Sequence, residues 1–100
     1  MKFIIYRTTN LVNSKYYIGK HQTEELNDGY LGSGIRLKRA ISRYGKDNFI
    51  REILKECTSV EEMNSAEREF LTEKVLDDPN CYNLAIGGQG GFLGERVRVK

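Results

Sequence analysis

The feature that most limits what this chain can fold into is a pair of tyrosine-bearing extended segments at its start. Lys2–Thr8 (KFIIYRT) and Lys15–Lys20 (KYYIGK) are rich in Ile, Tyr, Phe and Thr, and the Asn10–Ser14 stretch between them carries turn-forming Asn and Ser. Residues of this kind suit a pleated, half-buried surface, so the first twenty residues read as a β-hairpin. A four-residue loop over Asn10–Asn13 would set Thr9 against Ser14 and Tyr6 directly opposite Tyr17. Two phenols would then share one face, either as a cross-strand pair that only stabilises the sheet or as part of a site.

Beyond the hairpin, Asn27-Asp28-Gly29 and Gly32-Ser33-Gly34 mark 21–34 as a loop. Ile35, Leu37, Ala40, Ile41 and Tyr44 then recur at mostly helical spacing, and Gly45 sits where a helix stops. Asn48–Leu54 reads as a third strand. Thr58-Ser59-Val60-Glu61 has the pattern of a capping box and opens a helix expected to run to about Leu76, where Asp77-Asp78-Pro79-Asn80 breaks it. The expected fold class is α+β, a small three-stranded antiparallel sheet flanked by helices.

Composition narrows the function classes. One hundred residues, 39% hydrophobic and 30% charged, suit one core rather than several domains. No apolar run approaches the roughly 20 residues that cross a bilayer, and Met1-Lys2-Phe3 does not open a signal peptide, so the expected setting is cytoplasmic, with no membrane partner. Cys57 and Cys81 are too few for a metal quartet, and a single histidine, His21, argues against zinc sites and Ser-His or Cys-His catalysis. The glycine run 87–91 matches neither a P-loop nor a dinucleotide fingerprint and reads as a mobile loop. The formal net charge of +2 hides an uneven distribution. From Ser33 to Lys55 seven basic residues face two acids, and from Glu56 to Asn80 eight acids face two basic residues. One face could meet a polyanion; two solvated helix faces of opposite sign are the plainer alternative.

The second helix holds an anomaly. Val60, Met63, Phe70 and Leu71 define its apolar stripe, and Glu67 lies within that stripe. A partly buried carboxylate needs a cation, a backbone donor or a metal ion, and a salt bridge to Arg36 or Arg51 would be the purely structural answer.

Taken together, these elements resemble the GIY-YIG nuclease family. Ile4-Ile5-Tyr6 stands where the family has Gly-Ile-Tyr, without the first glycine, and Tyr17-Ile18-Gly19 matches the second element outright. Ile35–Phe49 (IRLKRAISRYGKDNF) is similar to the helix, glycine and aromatic of phage homing endonucleases of this family. Glu67 falls at the family's metal-binding glutamate, and Tyr82-Asn83 at a late Tyr-Asn whose asparagine belongs to the active site. The likeness covers roughly residues 3–91. One departure stands out: Gln22–Gly34 holds no basic residue where many members carry a catalytic arginine, leaving Lys20, His21 and Arg36 as candidates for that role.

The resemblance implies a divalent-metal-dependent DNA endonuclease of phage or mobile-element homing type, working on double-stranded DNA in a bacterial or phage-infected cell. Glu67 would hold Mg2+ or Mn2+, since magnesium accepts one carboxylate plus waters and phosphate oxygens. Tyr6 would act as or orient the general base, helped by a cation such as Lys20 or by the metal-bound phosphate environment to lower a phenol pKa near 10. Tyr17 would position, and Asn83 would fix the site through its amide. Arg36, Lys38, Arg39, Arg43 and Lys46 would contact the DNA backbone, which gives affinity without sequence information. Residues 1–94 would form the nuclease domain and 95–100 a basic tail or the start of a linker, with two copies able to pair on DNA. The competing reading is a DNA-binding module of the same fold with weakened catalysis.

Overall fold

A computed structural model of the chain describes residues 1–84. The expectations for the glycine run at 87–91 and the basic tail at 95–100 lie outside those residues. Along the chain run β1 (Lys2–Asn10), β2 (Tyr16–Thr23), α1 (Ile35–Tyr44), a 3-10 turn (Lys46–Asn48), β3 (Phe49–Cys57), α2 (Val60–Phe70) and α3 (Glu73–Leu76). The strands form one antiparallel sheet in the order β2-β1-β3. The α+β architecture expected from the sequence is therefore the one observed.

The hairpin forms, but its register differs by two residues from the expected one. Asn10 pairs into the ladder with Lys15, leaving Leu11–Ser14 as the loop, with Ser14 in the left-handed region at φ 68°. Asn10 makes this possible because its side-chain oxygen takes the amide of Val12 and its amide donates to the Tyr82 hydroxyl. Tyr6 consequently sits opposite Gly19, and Tyr17 opposite Thr8. A two-residue slip preserves the face, so both phenols still stand on the same side of the sheet.

A bulge between Ile5 and Tyr6 in the β1–β3 pairing places Lys55 against Ile5 and Ile53 against Tyr6. The extra residue, Leu54, turns Arg51 onto the side of Thr8 and Tyr6. β3 also runs three residues further than Asn48–Leu54 suggested, ending at the buried Cys57.

Each face of the sheet has its own core. Ile5, Ile18 and Cys57 pack with Met63, Ala66, Leu71 and Leu76 on the α2 side. Phe49 packs with Leu37, Ala40 and Tyr82 on the α1 side, with Tyr17 against them. α1 stops at Gly45, whose φ of 93° lets its amide reach the Ile41 carbonyl. α2 is capped by Ser59, whose side chain accepts from the Glu62 amide, while Glu62 reaches back to the Thr58 amide and hydroxyl. The box is thus one residue later than the Thr58–Glu61 pattern suggested. The helix ends at Phe70 rather than about Leu76, because Leu71 leaves helical geometry and Thr72 caps the separate turn α3. Its buried face is Met63, Ala66, Glu67 and Leu71; Val60, expected in that stripe, is exposed in the first turn. Among the described residues, no helix is long and apolar enough to cross a membrane.

Candidate active site

Tyr6 is 1% exposed in the central strand. Its ring lies over Gly19, where an added Cβ would sit 2.5 Å from the Tyr6 hydroxyl and 2.9 Å from Tyr17 Cε2. The glycine of Tyr17-Ile18-Gly19 therefore exists to admit the phenol of the neighbouring strand. Tyr17 is seated in the same way on the loop before α1: a Cβ at Gly34 would meet Tyr17 Cε1 at 2.4 Å. The two rings are 6.3 Å apart, centroid to centroid, and tilted by 41°.

Burial pushes the Tyr6 hydroxyl far above the ordinary phenol range, and the neighbouring Tyr17 and Tyr30 push it further. Tyr17 is raised as well, chiefly by burial, although the Ser33 hydroxyl opposes the shift. The charge of Glu67 adds to the rise at both phenols, so this carboxylate lies within electrostatic reach of the pair. In the protein alone the shift at Tyr6 is upward, and Lys20 is not among its main causes.

Glu67, 8% exposed, faces Lys20 Nζ at 3.8 Å, and neither Arg36 nor Arg51 takes the partner role considered for them. Lys20 also donates to Asn64 Oδ1 at 2.6 Å, one turn before Glu67 on α2. Lys20 alternates with Gly19 along β2, so it lies on the α2 side while the phenols lie on the α1 side. β2 is thus the strand across which carboxylate and phenols act on one another. Asn83 closes the outer edge of that strand: its Oδ1 accepts from the Ile18 amide at 2.9 Å and its Nδ2 donates to the Ile18 carbonyl at 2.7 Å. The preceding residues are held by Tyr16, which bridges to Cys81 and accepts from the Tyr82 amide.

The remaining candidates divide. His21 belongs to the phenol face, with Nε2 2.7 Å from Asp28 Oδ2 and its ring stacked on Tyr30. Arg36 donates to the Cys81 carbonyl at 3.3 Å and joins α1 to the Asn83 segment. Lys38, Arg39, Arg43 and Lys46 are exposed on α1 and just after it. Three residues near the phenols carried no distinctive sequence signal: Asp28, Tyr30 and Arg51. Arg51 comes from β3, with its guanidinium carbon 5.8 Å from the Tyr6 ring centre. Only the bulge at Leu54, invisible to strand alternation, brings it to this face.

The model of the GIY-YIG catalytic domain matches residues 2–77. The chain belongs to the GIY-YIG family. Among similar proteins of Enterobacteria phage T4, the GIY-YIG chain is 50% identical over 93 residues to a putative endonuclease, segE, covering 93% of this chain and 45% of that one. It is 51% identical over 93 residues to the endonuclease segA, covering 92% of this chain and 42% of that one. The chain therefore spans less than half the length of these relatives. A solved structure of the catalytic domain of the intron endonuclease I-TevI aligns with a TM-score of 0.63 at 25% identity, over 86% of this chain and 96% of that one. Where the family has the first glycine of its signature, this GIY-YIG domain has Ile4, which is fully buried.

The raised phenols have a consequence for stability. Tyr6 and Tyr16, the latter raised by burial and its bond to Asp78, hold their protons in the fold above the unfolded value of about 10. Their contribution is complete below that pH and is lost as the pH rises beyond it. Melting temperatures should hold level to about pH 9 and fall above 10, with a shallower fall for Tyr6→Phe.

Proposed function

We propose that this domain is the catalytic part of a DNA endonuclease that hydrolyses phosphodiester bonds with a divalent metal ion, in the manner of phage homing enzymes. The observation that carries the reading is the meeting of β1, β2 and α2 residues around Gly19–Lys20: Tyr6 and Tyr17 pack on Gly19 with rings 6.3 Å apart, and Lys20 reaches Glu67 at 3.8 Å. Among the described residues no three of His, Cys, Asp and Glu gather as a metal site, so Glu67 would supply a single carboxylate. Such a donor suits Mg2+ or Mn2+ that keeps most of its water and takes further oxygens from the phosphate. The ion, held by Glu67, would supply charge stabilisation at the phosphoryl oxygens.

The chain's own groups do the rest. Tyr6 is too firmly protonated to be a base in the resting protein, so it orients the attacking water through its oxygen. Tyr17, set by Ser33 and the loop glycines, fixes the other side of the phenol pair. Lys20 neutralises Glu67 until substrate arrives and is long enough to follow the phosphate. Asn83 keeps β2 in register by pairing with Ile18, a positioning role. His21 and Arg36 hold the loop and the Asn83 segment. The substrate is double-stranded DNA, met by Lys38, Arg39, Arg43 and Lys46.

Supercoiled plasmid incubated with Mg2+ tests the reading. Conversion to an open circle that DNA ligase can reseal is expected, since the nick should carry a 5′ phosphate and a 3′ hydroxyl. Absence of cleavage with every divalent ion, despite duplex binding, would leave the weakened DNA-binding module as the better account. Tyr6→Phe should slow nicking by about a hundredfold, as loss of a group that orients the attacking water does, while the melting temperature stays close to the parent. Neutralising Lys38, Arg39 or Arg43 one at a time should flatten the slope of log affinity against log salt by about 0.9 in each case. Unchanged slopes in gel-shift titrations would remove α1 from the interface.

A further inference from the structure

A second polar cluster adjoins the phenols. Arg51, whose side chain is 10% exposed, donates to Asp28 Oδ1 at 3.3 Å, to the Tyr30 carbonyl at 2.9 Å and to the Leu26 carbonyl. Asp28 is the hub: Oδ2 also meets His21 Nε2 at 2.7 Å and the Thr23 hydroxyl at 2.9 Å, and Oδ1 takes the Tyr30 amide at 3.0 Å. These contacts hold the carboxyl of Asp28 well below the usual range, with His21 the largest cause. A loop residue bound by a guanidinium, an imidazole, a hydroxyl and an amide fixes its neighbours far more tightly than a solvated turn would.

What the clasp fixes is Tyr30. Its ring stacks on His21 at 3.9 Å with 10° between planes and stands edge-on to Tyr6 at 6.0 Å and 77°. Tyr30 thus meets Tyr6 ring to ring, and its nearness adds to the upward shift of the Tyr6 hydroxyl. Arg51 is neutralised by Asp28, which explains why a guanidinium near the Tyr6 ring does not draw off its proton.

We propose that Tyr30 is a positioning residue for Tyr6, held by the Arg51–Asp28–His21 clasp so that its ring, edge-on to that of Tyr6, fixes the tilt of the phenol and with it the direction of the Tyr6 oxygen. This rests on the nuclease reading above. It gives the basic residue missing from 22–34 a structural successor: Arg51 acts on the site through the loop, not through the phosphate.

The test uses the 100-residue chain labelled with 13C at the tyrosine Cζ positions, together with single-turnover nicking of plasmid DNA. Tyr30→Ala, which removes the ring, should move the Tyr6 Cζ resonance at neutral pH, whereas Tyr30→Phe, which keeps it, should leave that resonance and the nicking rate close to the parent. The nicking rate of Tyr30→Ala at saturating DNA should fall tenfold to about a hundredfold with the half-saturating DNA concentration unchanged. Arg51→Lys, which cannot span Asp28 and two carbonyls as a fork, should move the same resonance and lower the same rate. An unmoved Tyr6 resonance in Tyr30→Ala, or a Tyr30→Ala protein that nicks as fast as an active parent, overturns the proposal. A parent that does not nick at all is instead a failure of the nuclease reading, and the resonance reports the Tyr6–Tyr30 ring contact independently of it.

Discussion

Glu67→Gln is expected to slow single-turnover nicking by about a thousandfold or more while leaving the melting temperature nearly unchanged. The side chain keeps its volume, so the packing beside Met63 and Leu71 on α2 survives. What disappears is the charge. Without it the carboxylate coupled to both phenols can no longer anchor an ion, and Lys20 loses its partner at 3.8 Å. Lys20 retains Asn64 at 2.6 Å and is half-buried, so the folding cost of an ammonium without its counter-charge stays small. Kinetics and melting measured on the same preparation separate the two effects. A purely structural salt bridge would show the reverse, lower stability with activity intact.

Gly19→Ala should be the most damaging single methyl group in the sheet. Its Cβ would lie 2.5 Å from the Tyr6 hydroxyl and 2.8 Å from Tyr6 Cζ, well inside contact distance. Tyr6 cannot step aside, because it is 1% exposed and ringed by Tyr17, His21 and Tyr30. Overpacking of this kind costs about 1–3 kcal/mol, and a phenol displaced by an ångström costs about a hundredfold in rate. Gly45→Ala makes the matched control. Its φ of 93° also penalises a side chain, by about 1–2 kcal/mol, but the nearest atom is Asn48 Nδ2 at 3.8 Å and the phenols are untouched. Comparable destabilisation with nicking abolished only in Gly19→Ala would show that the glycine serves the phenol pair.

Much of this architecture is legible because local chemistry specifies it. The apolar spacing from Leu37 to Tyr44, closed by Gly45, marks α1 to the residue, and Ser59 with Glu62 marks the start of α2 within one position. Glu67 inside an apolar stripe is visible from periodicity alone. What escapes is set by tertiary partners. The hairpin register depends on Asn10 bonding to Tyr82, more than seventy positions away, which no turn rule includes. The break after Phe70 follows from Thr72 capping a new turn in a stretch that is otherwise helical in pattern. Arg51 reaches the phenol face through one bulged residue, and Tyr30 reaches Tyr6 only because Asp28 collects partners from β2, β3 and its own loop. Strand alternation likewise sends the Lys20 ammonium, paired with Ile5, to the face opposite Tyr6, so burial is the largest influence on the phenol in the protein alone.

On the proposed mechanism Tyr6 and Glu67, on different elements and on opposite sides of β2, act as one hydrolytic unit. The measurement that bears on it most directly is the single-turnover nicking rate of Tyr6→Phe/Glu67→Gln beside both single variants and the parent. Groups that work as a unit are strongly non-additive, so the double variant should nick no more slowly than Glu67→Gln alone. Effects that multiply would make the two residues independent, and a Glu67→Gln protein that nicks at the parental rate would contradict the account outright.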